Sequence, residues 1–309
     1  MSRFLGIWKL LFSVLILAIL WRLIDFSLIA TYVLNPNWSV LAIIILLIPV
    51  SIGIRAYRFH YIINGKKKLL RFRDALRITL VGETLNIILP ASTGDFAKVY
   101  FGYKKHQIKE EMITAALIDK IAGLIGLFIM GTIAAVIHGY NLLALFFCSG
   151  FVVLMIFTFI PRLIPWLLLN KLLIRIKRSI VDVPKLRRSF ATSNMLKVNA
   201  ILISIAAWTA SFALLYAITQ LFNLDISILF LLSVAPLITL SRLFPFAWGG
   251  LGVQEGVTTY LFSLAGISPS VSIVTSLIFT LTATVIPGLI GLIHLLSLKK
   301  GVLRPSEKT

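Results

Sequence analysis

Two stretches of this chain place charged and amide side chains inside otherwise apolar surroundings. The first is Glu83-Thr-Leu-Asn86-Ile-Ile-Leu-Pro90-Ala-Ser92-Thr93-Gly94-Asp95-Phe-Ala-Lys98. The second is Arg242-Leu-Phe-Pro-Phe-Ala-Trp-Gly249-Gly250-Leu-Gly252-Val-Gln254-Glu255. In a helix Glu83 and Asn86 share one face at the i, i+3 spacing. Beyond Pro90, Ser92 or Thr93 can cap a returning helix, whose N-terminal amides attract an anion such as a lipid phosphate. Asp95 opposes a phosphate there; it suits a cationic group or a local pair with Lys98. In a plainer reading Ser92 and Asp95 only cap and pair locally.

In the second stretch Arg242 is the natural phosphate ligand, because guanidinium is permanently charged and binds in a bidentate way. Gly249, Gly250 and Gly252 permit tight turns and close backbone approach. Gln254 and Glu255 open the returning helix. The alternative is an internal Arg242–Glu255 ion pair that satisfies two buried charges, an arrangement that a gate can also use. Arg55 and Arg58 lie where a head group meets the cytoplasmic side. Ordinary snorkelling at a helix end explains both, and Arg58 is kept as a candidate substrate contact. Asp119-Lys120 leaves two readings open, a local pair or a pair lining a cavity. The Lys66–Lys68 run and the basic stretch 162–197 read as solvated, lipid-facing surface.

Other chemistries lack their residues. Four His and one Cys, scattered, offer no metal-site spacing. No nucleophilic grouping, no Asp-x-Asp pair and no phosphate-binding glycine loop followed by Lys-Ser/Thr occurs. The expectation is no cofactor, no metal and no ATP-driven step by this chain alone. Cys148 by itself excludes an intramolecular disulfide framework.

The elements that must position these residues are membrane helices. Of 309 residues, 59% are hydrophobic and 13% charged, with mean hydropathy +0.99. That composition defines an all-α polytopic membrane protein. Apolar runs at about 6–21, 39–63, 112–137, 142–161, 199–222 and 271–297 read as six full spans. The first is read as retained, not as a signal peptide, because no small-x-small cleavage site follows it. Asp25 can cap a short interfacial helix running to about Val33. The limbs around Pro90 and Pro245 read as re-entrant helical hairpins, since a span needs about 20 residues. The limb Ile226–Phe246 is long enough to question its depth.

The net charge of +19 would suggest nucleic acid in a soluble chain. Here it reports cytoplasmic loops facing anionic lipid. With the N-terminus inside, segments 1–9, 55–77, 98–109, 162–197 and 299–308 hold 27 of the 30 Lys and Arg. Both termini are therefore expected in the cytoplasm. The two hairpins then enter from opposite sides, and each half runs span, span, hairpin, span. This is an inverted repeat, with halves of about 1–138 and 139–309 in one transmembrane domain. Transporters use that arrangement to set a midplane site between two broken elements.

The sequence Gly82-Glu-Thr-Leu-Asn-Ile-Ile-Leu-Pro-Ala-Ser-Thr-Gly-Asp95, Asp119-Lys120 at a span start, and Arg242-Leu-Phe-Pro-x-x-x-Gly-Gly-Leu-Gly-Val-Gln-Glu255 resemble the lysylphosphatidylglycerol synthase transmembrane-region family, also described as flippase-like domains. The resemblance covers nearly the whole chain. It implies an α-helical fold with re-entrant segments and a role in moving lipid across the bilayer. Synthase activity resides in a soluble domain of some members. The sequence ends at Thr309, so a standalone member without that domain is expected. Other standalone members are linked to glycolipid or isoprenoid-lipid pathways.

The reading is a flippase or scramblase of the cytoplasmic membrane for a phospholipid or lipid-linked head group. Anionic membrane lipids are its expected partners, with a separately encoded lipid synthase and a homo-oligomer as further ones, and no nucleic acid. The alternatives are an integral-membrane lipid-modifying transferase, for which Asp95, Asp119 and Glu255 offer acid/base groups, and a scaffold for a synthase.

Overall fold

The computed structural model describes residues 13–16, 18–34, 37–65, 67–88, 94, 99, 109–160, 193–244 and 250–302. All elements among them are helical. Ten are labelled here: α1 (Phe26–Leu34), α2 (Trp38–Ile63), α3 (Phe72–Ile88), α4 (Lys109–Ile137), α5 (Asn141–Phe159), α6 (Asn194–Leu221), α7 (Ile228–Ser241), α8 (Val253–Ser263), α9 (Pro269–Thr280) and α10 (Ile286–Val302). A π-helical turn, Leu281–Val285, joins α9 to α10.

Five helices are long and apolar enough to cross a bilayer: α2, α4, α5, α6 and the α9–α10 helix. They match five of the six expected spans. Half of the sixth, about 6–21, lies outside the described residues; the described part, 13–16 and 18–21, is helical. Besides α1, with 9 residues, three helices are shorter. α3 has 17 residues, α7 has 14 and α8 has 11, so at 1.5 Å per residue they reach only about 26, 21 and 17 Å.

Local chemistry sets the element ends. The Asp25 carboxylate accepts from Ser27 N and Ser27 Oγ at the start of α1, as its position suggested. Asn37 caps α2 by accepting from Val40 N. Asn64 closes α2 and shapes the turn into α3, its Oδ1 accepting from Leu69 N and Leu70 N and its amide donating to Leu70 O. Ser268 caps α9 and Pro269 occupies its first turn, where no N–H is needed. The π turn ends two residues before Pro287. Proline lacks the N–H for an i→i−4 bond and crowds that carbonyl, which widens or kinks a helix at this point.

α2 and α6 pack along each other at the centre, with α4 against α6. α3 lies along α10, and α7 lies along α4. Glycines permit the closest approach: a Cβ on Gly291 would overlap the Leu80 carbonyl. Thr84 Oγ1 donates to Gly288 O at 2.7 Å across the same seam. In apolar surroundings such small-residue contacts replace the hydrophobic drive of soluble proteins.

Two apolar clusters result. One joins Phe59, Met112, Ile125 and Ala200 of α2, α4 and α6 with Ile78 of α3. The other joins Leu215, Leu231, Phe262 and Phe279 of α6, α7, α8 and α9.

One expectation is corrected. The basic stretch 162–197 was read as solvated up to Lys197, but α6 begins at Asn194 and Lys197 is buried in it. Its Nζ donates to Thr158 O at 2.8 Å and sits over the Phe159 ring. The last carbonyls of α5 have no intrahelical donor, and the ammonium supplies one.

Candidate functional site

Polar and apolar side chains enclose a cavity of about 130 Å³. Five helices contribute to it. α2 supplies Arg55 and Arg58, α3 supplies Thr79, Glu83 and Asn86, and α4 supplies Asp119, Lys120 and Gly123. Trp208 of α6 and Thr239 of α7 complete the wall, with Arg242 just after the end of α7.

Arg58 is fixed from three sides. Its Nε donates to Asp119 Oδ1 at 2.6 Å and its Nη1 to Ser204 Oγ at 2.9 Å. Gly123 faces the guanidinium, so that a Cβ there would lie 3.3 Å from Nη1. Trp208 Nε1 donates to the Gly123 carbonyl at 2.7 Å. Arg58 and Asp119 are both buried. A buried pair survives only when its remaining hydrogen-bonding groups are also met, and Ser204 meets one of them.

Arg55, one turn earlier on the same face of α2, donates from Nη1 to Glu83 Oε1 at 2.7 Å. Glu83 is buried, while a quarter of the Arg55 side chain is exposed. The snorkelling reading of Arg55 and Arg58 is therefore overturned. Each points inward because a carboxylate carried on an apolar helix requires a cation. Asp119 and Lys120 both line the cavity, and the acid accepts from Arg58.

Within the cavity Thr79 Oγ1 and Arg55 Nε are buried without a hydrogen-bond partner. Buried polar groups are ordinarily satisfied, so these atoms mark where a ligand or water would be received. The described charged lining comprises four cations, Arg55, Arg58, Lys120 and Arg242, against two carboxylates, Glu83 and Asp119. The formal balance is +2, which favours an anion.

The remaining candidates divide. Asn86 and Arg242 line the cavity. Gly94 is buried against α3, where a Cβ would overlap the backbone of Leu85 and Asn86. Gly250 has φ +83°, and a Cβ on it would come within 2.8 Å of Arg242 Cα. Only glycine suits that conformation and that contact. Gly252, at φ +85°, packs on Ile16. Pro90, Ser92, Asp95 and Gly249 lie outside the described residues.

Glu255 and Gln254 are not among the cavity-lining residues; they form a second polar group with α9. Glu255 Oε2 accepts from Gly252 N at 2.6 Å, closing the start of its own helix. Glu255 Oε1 accepts from Thr280 Oγ1 at 3.3 Å. Gln254 Nε2 donates to Thr280 Oγ1 at 3.0 Å and to Ser276 Oγ at 3.3 Å. Thr258 Oγ1 donates to Gln254 O and to Ser276 Oγ. The alternative of an internal Arg242–Glu255 ion pair is overturned: these hydrogen bonds hold the carboxylate, and Arg242 attracts it through space. A cap at the third helical position is closer in sequence and better aimed than the arginine.

Sequence reasoning left Thr79, Ser204 and Trp208 out of the site. Glu83 and Arg55 were noticed, but not as a pair. A balance of charges would have found it: two acids in apolar helices and two arginines at i, i+3 on one face call for each other.

Helices of this length and hydropathy around a charged interior cavity define a multi-pass membrane protein. Residues 6–291 match the family described as lysylphosphatidylglycerol synthase TM region, and the chain belongs to that family. A 98-residue stretch is 33% identical to a UPF0104 membrane protein of Methanothermobacter thermautotrophicus, covering 32% of this chain and 29% of that protein. The chain thus matches less than a third of that relative's length.

Proposed function

We propose that this protein is a lipid transporter, a flippase or scramblase for a phospholipid or lipid-linked head group, working in the cytoplasmic membrane. The observation that carries the reading is the cavity with a formal excess of cations, walled by Arg55, Arg58, Asn86 and Arg242 and holding an unpartnered buried hydroxyl on Thr79. A phosphodiester fits that charge balance. Arg242 is its bidentate ligand, and the acyl chains stay in lipid. The family relationship supports a role in lipid handling.

The proposed architecture is six full spans, including about 6–21, with both termini cytoplasmic and two re-entrant hairpins entering from opposite sides. The short lengths of α3, α7 and α8 support the hairpins. Support for an inverted repeat comes from the packing. The first hairpin limb, α3, lies against the helix that follows the second hairpin, and α7 lies against the helix that follows the first. The second spans of the two halves, α2 and α6, pair with each other. Rocking of the halves about that pair would alternate access to the cavity.

Reconstituted vesicles test the reading. Labelled phospholipid crosses faster with the wild-type protein than without it, and Arg242→Ala abolishes the gain while inserting normally. Arg242→Lys stays inactive if bidentate geometry matters. Transport by Arg242→Ala at the wild-type rate removes the phosphate-ligand role.

A further inference from the structure

We propose that Glu255 is a proton-binding site linked to the cavity, so that an anionic head group on Arg242 draws one proton onto Glu255. The inference rests on the phosphate role of Arg242 and adds the ion that accompanies it.

Glu255 is fully buried. Among the described residues its carboxylate is stabilised by its own backbone amide, the Gly252 amide at the start of α8, the Thr280 hydroxyl and, last, the through-space charge of Arg242. The Thr280 hydroxyl is oriented for this, since it accepts from Gln254 Nε2 and so turns its own hydrogen toward the carboxylate. The charged and titratable groups on the described elements packed against it are these. α7, packed against α8, leads directly into Arg242. α9 contains no titratable residue. The helical residues 13–16 that meet Gly252 contain none. On α8 itself the other titratable residue is Tyr260, which is exposed.

Among the described residues, Arg242 acts on Glu255 through space and also lines the cavity. Gly250, whose backbone abuts Arg242 Cα, lies two residues before the glycine whose amide caps Glu255. When a phosphodiester is bound to Arg242, its negative charge offsets the guanidinium as seen from Glu255. The ionised carboxylate then loses attraction in a place with little solvent to replace it. A proton taken from the aqueous phase restores neutrality. Linkage makes the effect reciprocal: anion binding takes up a proton, and acid tightens anion binding.

The test uses purified full-length protein in detergent and short-chain phosphatidylglycerol, a phosphodiester that remains singly charged throughout the working pH range. Binding is expected to tighten by up to about tenfold per pH unit as pH falls through the Glu255 transition. Uptake of up to one proton per protein, read by an indicator dye in weak buffer, should accompany saturation. Glu255→Gln, which keeps a capping acceptor, should bind with a flat pH profile and no uptake. Wild-type binding without proton exchange overturns the linkage alone, and needs no variant. So does equal uptake by Glu255→Gln. Absence of wild-type binding overturns the phosphate site itself, and the linkage with it.

Discussion

The two polar stretches solve the problem of charge in an apolar interior differently. In the first half of the chain the two buried carboxylates among the described residues are joined to cations on another helix: Glu83 of α3 to Arg55 of α2, and Asp119 of α4 to Arg58 of α2. In the second half Glu255 is held within its own helix and by a hydroxyl of α9, while Arg242 lines the cavity. The first arrangement makes α2 a spine to which α3 and α4 are fastened by charge. In the second, Arg242 lines the cavity and also attracts Glu255 through space. Cross-helix pairs fix architecture; a locally capped acid can change its charge without dismantling it.

That difference can be broken most forcefully at the buried pair. Asp119→Ala leaves Arg58 charged and buried, and should lower unfolding stability by about 3–5 kcal/mol, measured by denaturant titration in detergent. Replacing both partners with apolar residues should recover much of the loss. Next comes Gly250→Ala, which forces a left-handed conformation on a residue with a Cβ. It should destabilise by about 1–2 kcal/mol from conformation alone. It should also shift Arg242, so that lipid transport falls more than stability does. Arg55→Ala breaks a pair that is partly open to solvent, and about 1–2 kcal/mol is expected, between the exposed and buried limits. Glu255→Gln should be mildest, within about 1 kcal/mol, because glutamine also serves the helix cap. A loss as large as that of Asp119→Ala would erase the contrast between the halves.

Much of the fold was legible because hydropathy and charge act locally. The limits of α2, α4 and α5 follow from where apolar runs meet Asn, Gly and Pro. The short helix after Asp25 follows from its cap. Partnerships across the molecule were not legible. Arg58 and Asp119 are 61 residues apart, and an arginine five residues from a helix end looks the same in sequence whether it reaches outward or inward. Lys197 was assigned to a basic linker for a similar reason: local charge density hides a residue that turns in to cap α5. The π turn shows the opposite case. Pro287-Gly288 announced a break, but its form depends on how α10 seats against α3.

The central claim is that the cavity around Arg242 holds the phosphate of a lipid. Native mass spectrometry of protein released from its membrane reads this directly, with Arg242→Ala prepared in parallel. The wild type should retain a phosphate-bearing lipid that the variant, equally folded, has lost. Equal retention of the same lipid by both proteins would contradict the claim.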